Sequence, residues 1–190
     1  MRFARVRPLF YALSVARLID YESVKFAATA LGKGIRWADA CVRIPVPDGS
    51  LDVVYSSHML EHLDSAEAAL FFGEVHRVLK PGGIIRLAVP DLKRGMEKYM
   101  RDGDADEFVK SLYMGGCNLR RLSGKIRMLI LGNRDHRWMY DGASLVRLLQ
   151  ASGFANATQL QPGETMIVSP EPLDLREREE ESIYVEALQP

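Results

Sequence analysis

The chain has 190 residues, 47% of them hydrophobic and 26% charged, which suits an ordinary globular domain with enough apolar mass for a full core. Lys plus Arg and Asp plus Glu both number 25, so no net field favours nucleic acid or an anionic membrane. Cys41 and Cys117 lie far apart and lack metal-ligand spacing, which excludes a disulfide framework and points to reduced thiols and a cytoplasmic location.

Met1 to Leu31 opens with Arg2, Arg5 and Arg7 and the apolar run Leu9 to Leu13. Arg17, Asp20, Glu22 and Lys25 interrupt it well short of the roughly 20 apolar residues a membrane span requires. Leu9, Leu13, Ala16, Ala27 and Ala30 recur at helical intervals and Gly32 can stop them, so an amphipathic helix is expected. Ile35 to Ala38 reads as a strand running into Asp39-Ala40.

The pattern is clearest between Asp48 and Asp91. Leu51 to Tyr55 and Ile84 to Val89 are short, largely apolar runs, the second apolar at every position but Arg86, of the kind found in strands covered on both faces. Between them Asp64 can cap a helix, with Glu67 placed to close a capping box and Leu70, Phe71, Val75, Val78 and Leu79 at helical spacing. Lys80, Pro81 and Gly82-Gly83 end that helix and permit a turn into the second strand. A βαβ unit is predicted.

Leu92 to Met100 and Asp106 to Met114 read as helices. Arg120, Arg121, Lys125, Arg127 and Arg134 form a basic run that would attract acidic groups such as sugar phosphates, although a solvated helix face is its commoner meaning. Asp141 begins a helix with Leu145, Leu148 and Leu149 on one face, and Gly153 ends it. Strands are expected at Phe154 to Leu160 and Ser182 to Ala187, joined by a loop and the charged run Arg176 to Glu181.

The phrases PVPDGSLDVVYSSHMLEHL, EVHRVLKPGGIIRLAVPDL, DHRWMYDGASLVRLLQASGF and SIYVEA, in this order, resemble the class I S-adenosylmethionine-dependent methyltransferases, and most nearly a bacterial subgroup found among glycan-biosynthesis genes. The resemblance covers the chain from about Ile35 to its end. It implies an α/β fold, a doubly wound, mostly parallel sheet whose last strand is antiparallel, and S-adenosylmethionine as cofactor. Those enzymes open on a strand and a Gly-rich loop of the kind E/D/N-x-G-x-G, then a second strand ending in an acid. Neither is found here, so the expectation is that Met1 is an internal start, that the sheet is N-terminally truncated and that cofactor binding is weakened. One domain is expected: a helical segment over 1–34, an α/β core over 35–160, and a loop with the final strand over 161–190.

Transferred by position, the resemblance places Asp39 against the cofactor's adenine amino group and Ala40 against the ring, although a turn Asp bonded to its own backbone is the other reading. Ser57 and His58 would line the methionine end. Glu61 and His62 would meet the substrate, with His62 as general base, because an imidazole titrates near neutral pH, and Glu61 holding it. His136 and Tyr140 would overhang the site as substrate contacts. His58, Glu61 and His62 also spell H-x-x-E-H, a zinc-protease pattern. His58 directly follows a strand, so the two imidazoles need not share a helix face, and no metal is expected. The leading reading is methyl transfer to a small or glycan-linked nucleophile. The alternative is a non-catalytic binding or assembly module that has lost the cofactor. An open edge beside Leu51 to Tyr55 predicts a homodimer.

Overall fold

The computed structural model describes residues 29, 35–36, 38–114 and 135–190. The expected N-terminal helix and the basic run from Arg120 to Arg134 lie outside them. The chain divides into two compact units: Asp39–Gly115 with Asp135–Pro190, which holds every element below, and Met1–Ala38 with Gly116–Arg134, of which only four residues are described. No described helix is long and apolar enough to cross a membrane.

Among the described residues four strands form one sheet in the order β1-β2-β4-β3: β1 Leu51–Ser57, β2 Leu79–Pro90, β3 Ala155–Leu160 and β4 Ser182–Leu188. The strands β1 and β2 are parallel, and β4 is antiparallel to both β2 and β3, so three strands share one direction and the last opposes them. The fold is the mixed α/β sheet expected, with its final strand reversed. Ile35, Arg36 and Ala38 belong to no strand, and Ile35 is exposed, in contrast to the expected strand there.

The helix α1 spans Ser65–Val78. The Asp64 carboxylate accepts from the amides of Ala66 and Glu67, and the Glu67 side chain accepts from the Asp64 amide, completing the capping box. Its buried side chains are Ala68, Phe71, Phe72, Val75 and Val78. Leu70, read above as part of that stripe, is 58% exposed, because the buried arc turns through Phe72 instead. After Val78 the ladder skips: Leu51 faces Leu79 and Val53 faces Ile84, so Lys80 to Gly83 bulge out of register where the Pro-Gly-Gly turn was expected.

Downstream lie α2 (Leu92–Asp102), α3 (Ala105–Ser111) and α4 (Gly142–Ala151), capped by Asp91, Asp104 and Asp141 in turn. Ile85, Leu87 and Val89 of β2 and Ile183, Val185 and Ala187 of β4 alternate toward one face and join Phe71, Phe72 and Val75 of α1 and Leu145 and Leu149 of α4 in the core. The opposite face of the same strands carries Arg86, Tyr184 and Glu186. Arg86 and Glu186, both fully buried, pair at 2.6 Å. The Arg86 guanidinium also donates to the carbonyls of Glu164 and Leu175, and Glu186 accepts from Thr165 Oγ1 and the Met166 amide, so the segment before β4 is fastened over this face.

Candidate functional site

The site lies just past the carboxyl end of β1, where ligands bind in open α/β sheets. The His58 amide donates to the Ala88 carbonyl, continuing the ladder by one residue, and His58 then turns out of the strand at φ 47°. A short 3-10 turn over Leu60–His62 follows, pinned by the fully buried Leu60, and it drives the Glu61 side chain inward until only 1% of it is exposed.

A second segment closes on this turn. The amides of Arg137 and Trp138 both donate to the Glu61 carbonyl, at 2.8 and 3.1 Å. Arg137 also pairs with Glu67 at 2.7 Å, and the His62 Nδ1–H donates to the Asp135 carbonyl at 3.1 Å. These bonds seat His136 beside Glu61. Three imidazoles then surround one carboxylate: Glu61 Oε1 is 3.3 Å from His58 Nδ1, 4.0 Å from His62 Nε2 and 4.0 Å from His136 Nε2. The His62 and His136 rings meet edge to face at 5.1 Å.

Proximity here is not hydrogen bonding. The His58–Glu61 pair is close enough for an ion pair but lacks hydrogen-bond geometry, and neither Glu61 oxygen has a hydrogen-bond partner. The far nitrogen of His58, Nε2, is 2.9 Å from Ser182 Oγ on β4. Burial holds the His136 imidazole below its ordinary value; Glu61 opposes that shift, and His62 and His58 reinforce it. Tyr140 is buried, its hydroxyl pushed up to about 12 by burial and by the Glu61 charge, so it remains a neutral phenol near the carboxylate.

Of the residues singled out from sequence, His58, Glu61, His62 and His136 come together, with Tyr140 close to Glu61. Ser57 ends β1, and its hydroxyl, like that of Ser56, is buried without a hydrogen-bond partner. Asp39 does not show a tie to this cluster. It is exposed in a turn, its Oδ1 accepting from the Cys41 amide and its carbonyl from Val42 and Arg43, while Ala40 and Cys41 pack on the core edge. Burial, with Asp39, Glu67 and Asp64 nearby, raises the Cys41 thiol and keeps it protonated. Trp138, between Arg137 and Tyr140, is exposed. Sequence reasoning did not anticipate Ser182 behind His58, because the two are 124 residues apart and nothing local marks the pairing.

Residues 10–87 match the model of a methyltransferase domain family. A probable S-adenosylmethionine-dependent methyltransferase of Mycolicibacterium smegmatis is 42% identical over 48 residues, a stretch that is 25% of this chain and 18% of that protein. The chain is also similar to a crystallised S-adenosylmethionine-dependent methyltransferase of Mesorhizobium loti, at 20% identity and TM-score 0.41 over 78% of this chain and 66% of that one. A SAM-dependent methyltransferase of Methanosarcina mazei matches at 15% identity and TM-score 0.45, over 81% and 66% of the two chains.

Proposed function

We propose that this chain is the core of an S-adenosylmethionine-dependent methyltransferase, with Glu61 and His62 at the point where the methyl acceptor is held. The observation that carries this is the buried Glu61 ringed by His58, His62 and His136 at the carboxyl end of β1; His58, Glu61 and His62 lie within the stretch matched to the methyltransferase domain, and His136 reaches them from outside it. The cofactor, when bound, supplies an already activated methyl group, so the protein's tasks are alignment of the acceptor and removal of its proton.

The residues present suit those tasks. The His62 Nδ1–H is committed to the Asp135 carbonyl, which fixes the tautomer and leaves Nε2 as the nitrogen able to take an acceptor's proton. Ser57 and His58 are the residues the resemblance assigns to the methionine end of the cofactor, and a buried Ser57 hydroxyl without a hydrogen-bond partner fits a polar ligand there. Asp39, whose Oδ1 is occupied by its own turn, and Ala40 remain the adenine-side candidates. His136 and Tyr140 face the acceptor in this reading. The acceptor is a small or glycan-linked nucleophile, the location is cytoplasmic, and the active form is a homodimer. In support of the dimer, β1 pairs only with β2 among the described residues.

Two measurements test the proposal. S-adenosylmethionine at about 100 times its dissociation constant should stabilise the fold by about 2.7 kcal/mol, read as a rise in melting temperature. His62→Ala should lower turnover about 10²- to 10⁴-fold with cofactor affinity little changed. No thermal shift at millimolar cofactor would overturn the assignment in favour of a non-catalytic relative, and normal turnover by the variant would remove His62 from the mechanism.

A further inference from the structure

We infer that Glu61, His62 and His136 form a binding site for a divalent transition-metal ion. One carboxylate oxygen and one nitrogen from each imidazole all lie within 4.8 Å of one another. The donors come from two segments, the turn after β1 and the stretch before α4, which the Arg137 and Trp138 amides lock together through the Glu61 carbonyl.

The spacing discriminates between possible occupants. Glu61 is 1% exposed and neither of its oxygens accepts a hydrogen bond, an arrangement that is costly unless positive charge fills the space beside it. The imidazoles do not supply it through hydrogen bonds: His58 Nδ1 lies 3.3 Å from Oε1 without hydrogen-bond geometry, and the Nε2 atoms of His62 and His136 both stand 4.0 Å away. A metal ion with bonds of about 2.0 to 2.2 Å to each atom bridges ligands roughly 3.3 to 4 Å apart, so small ring movements close the site.

The surroundings are those of a prepared ligand set. His62 donates its Nδ1–H to the Asp135 carbonyl, which points the Nε2 lone pair inward, as metal-bound histidines are commonly held. His58, at 3.3 Å from Oε1 and backed by Ser182, lies beside the carboxylate from outside the set, without a hydrogen bond to it. Two imidazoles and one carboxylate select zinc or another first-row divalent ion over magnesium or calcium, and they leave a coordination position open. What the ion does there rests on the methyltransferase reading. An acceptor hydroxyl bound at the open position would lose its proton to solvent more readily, and His62 would serve as the base only while the ion is absent, its Nε2 being a ligand otherwise.

The test uses the full chain with zinc chloride alone, without cofactor or acceptor, so that it succeeds or fails independently of methyl transfer. Calorimetry should show one zinc per chain. Glu61→Gln and His136→Ala should each weaken binding by at least about 100-fold, and His58→Ala, which removes a neighbour not hydrogen-bonded to the carboxylate, by less than either. His76→Ala, which removes an imidazole bound instead to Gln189 and Ser152, should bind zinc as the parent does. Circular dichroism checks that each variant is folded. Should Glu61→Gln not fold, cobalt(II) absorption of the parent chain decides, an intense visible band marking a low-coordinate site of nitrogen and oxygen donors. No binding by the parent at 100-fold excess of zinc, a weak octahedral cobalt spectrum, or undiminished binding by His136→Ala would each overturn the site.

Discussion

Replacing Glu186 by alanine should destabilise this protein more than any other single polar substitution in the sheet. In the native fold the carboxylate is fully buried and accepts three hydrogen bonds of 2.6 Å, from Arg86, Thr165 Oγ1 and the Met166 amide. Truncation leaves the Arg86 guanidinium, also fully buried, with two carbonyls and the Tyr184 ring 5.0 Å away but no anion. Breaking a buried pair from one side costs about 3 to 5 kcal/mol, against a total stability on the order of 5 to 15 kcal/mol. At about 2 to 4 °C per kcal/mol for a chain of this size, the melting temperature should fall by about 6 to 20 °C. Urea unfolding followed by circular dichroism should show a lowered midpoint at unchanged slope. Arg86→Met combined with Glu186→Leu removes both charges and should be more stable than Glu186→Ala alone, since the cost lies in the orphaned cation. A single variant within 1 kcal/mol of the parent, or a double variant no better than the single, would refute the reasoning.

Two further predictions concern backbone space and pH. A Cβ added at Gly83 would sit 2.9 Å from the Lys80 carbonyl oxygen and 3.2 Å from that of Asp52, so Gly83→Ala should cost about 1 to 3 kcal/mol; Gly73, in mid-α1, meets nothing within 4 Å, and Gly73→Ala should stabilise by roughly 0.4 to 1 kcal/mol. Chemical denaturation of both variants checks this, and shifts of the same sign would sink it. Hydrogen bonds from Arg77, then from the Ile44 amide, hold the Glu74 carboxyl down at about 2 from its ordinary 4.5. A depressed carboxyl contributes stability above its unfolded value and loses it as pH falls through its folded one, so the urea midpoint should drop between pH 4.5 and about 2, and less steeply in Glu74→Gln. Identical slopes in the two proteins would show that Glu74 is not paired in solution.

What was legible in the sequence was what neighbours in the chain decide. Asp64 and Glu67 announced the start of α1, and Pro81 with the two glycines after it announced its end, because caps and turns are satisfied within a few residues. Short, near-continuous apolar runs marked β1 and β2 for the same reason. Arg86 stood out as the polar member of an apolar strand, but its partner is 100 residues away and no local pattern names it. The mistaken inclusion of Leu70 has a related cause: a helix with apolar residues at 70, 71 and 72 can present more than one arc, and the sheet chose the one through Phe72. The expected strand from Ile35 to Ala38 rested on a short, partly apolar stretch and on its place in the resemblance, and neither supplies the cross-strand pairing that makes a strand. At the candidate site, each histidine was visible singly. Their meeting on Glu61 depends on the Arg137 and Trp138 amides finding a carbonyl on a distant turn, which is tertiary information.

The place of β4 in the sheet has a bearing on how the protein is born. Lying between β2 and β3, it is the last of the four described strands and yet the one that joins the other three into a single sheet. On the ribosome, β1, α1 and β2 can close as a unit soon after they emerge, whereas β3 must wait for a partner that has not been translated. During that interval β2 exposes an apolar edge, and whatever binds it first, a chaperone or the same strand of a neighbouring nascent chain, competes with Ser182–Leu188 for the position. Synonymous codons that slow translation between β3 and β4 should therefore lower the soluble yield of a protein whose sequence has not changed.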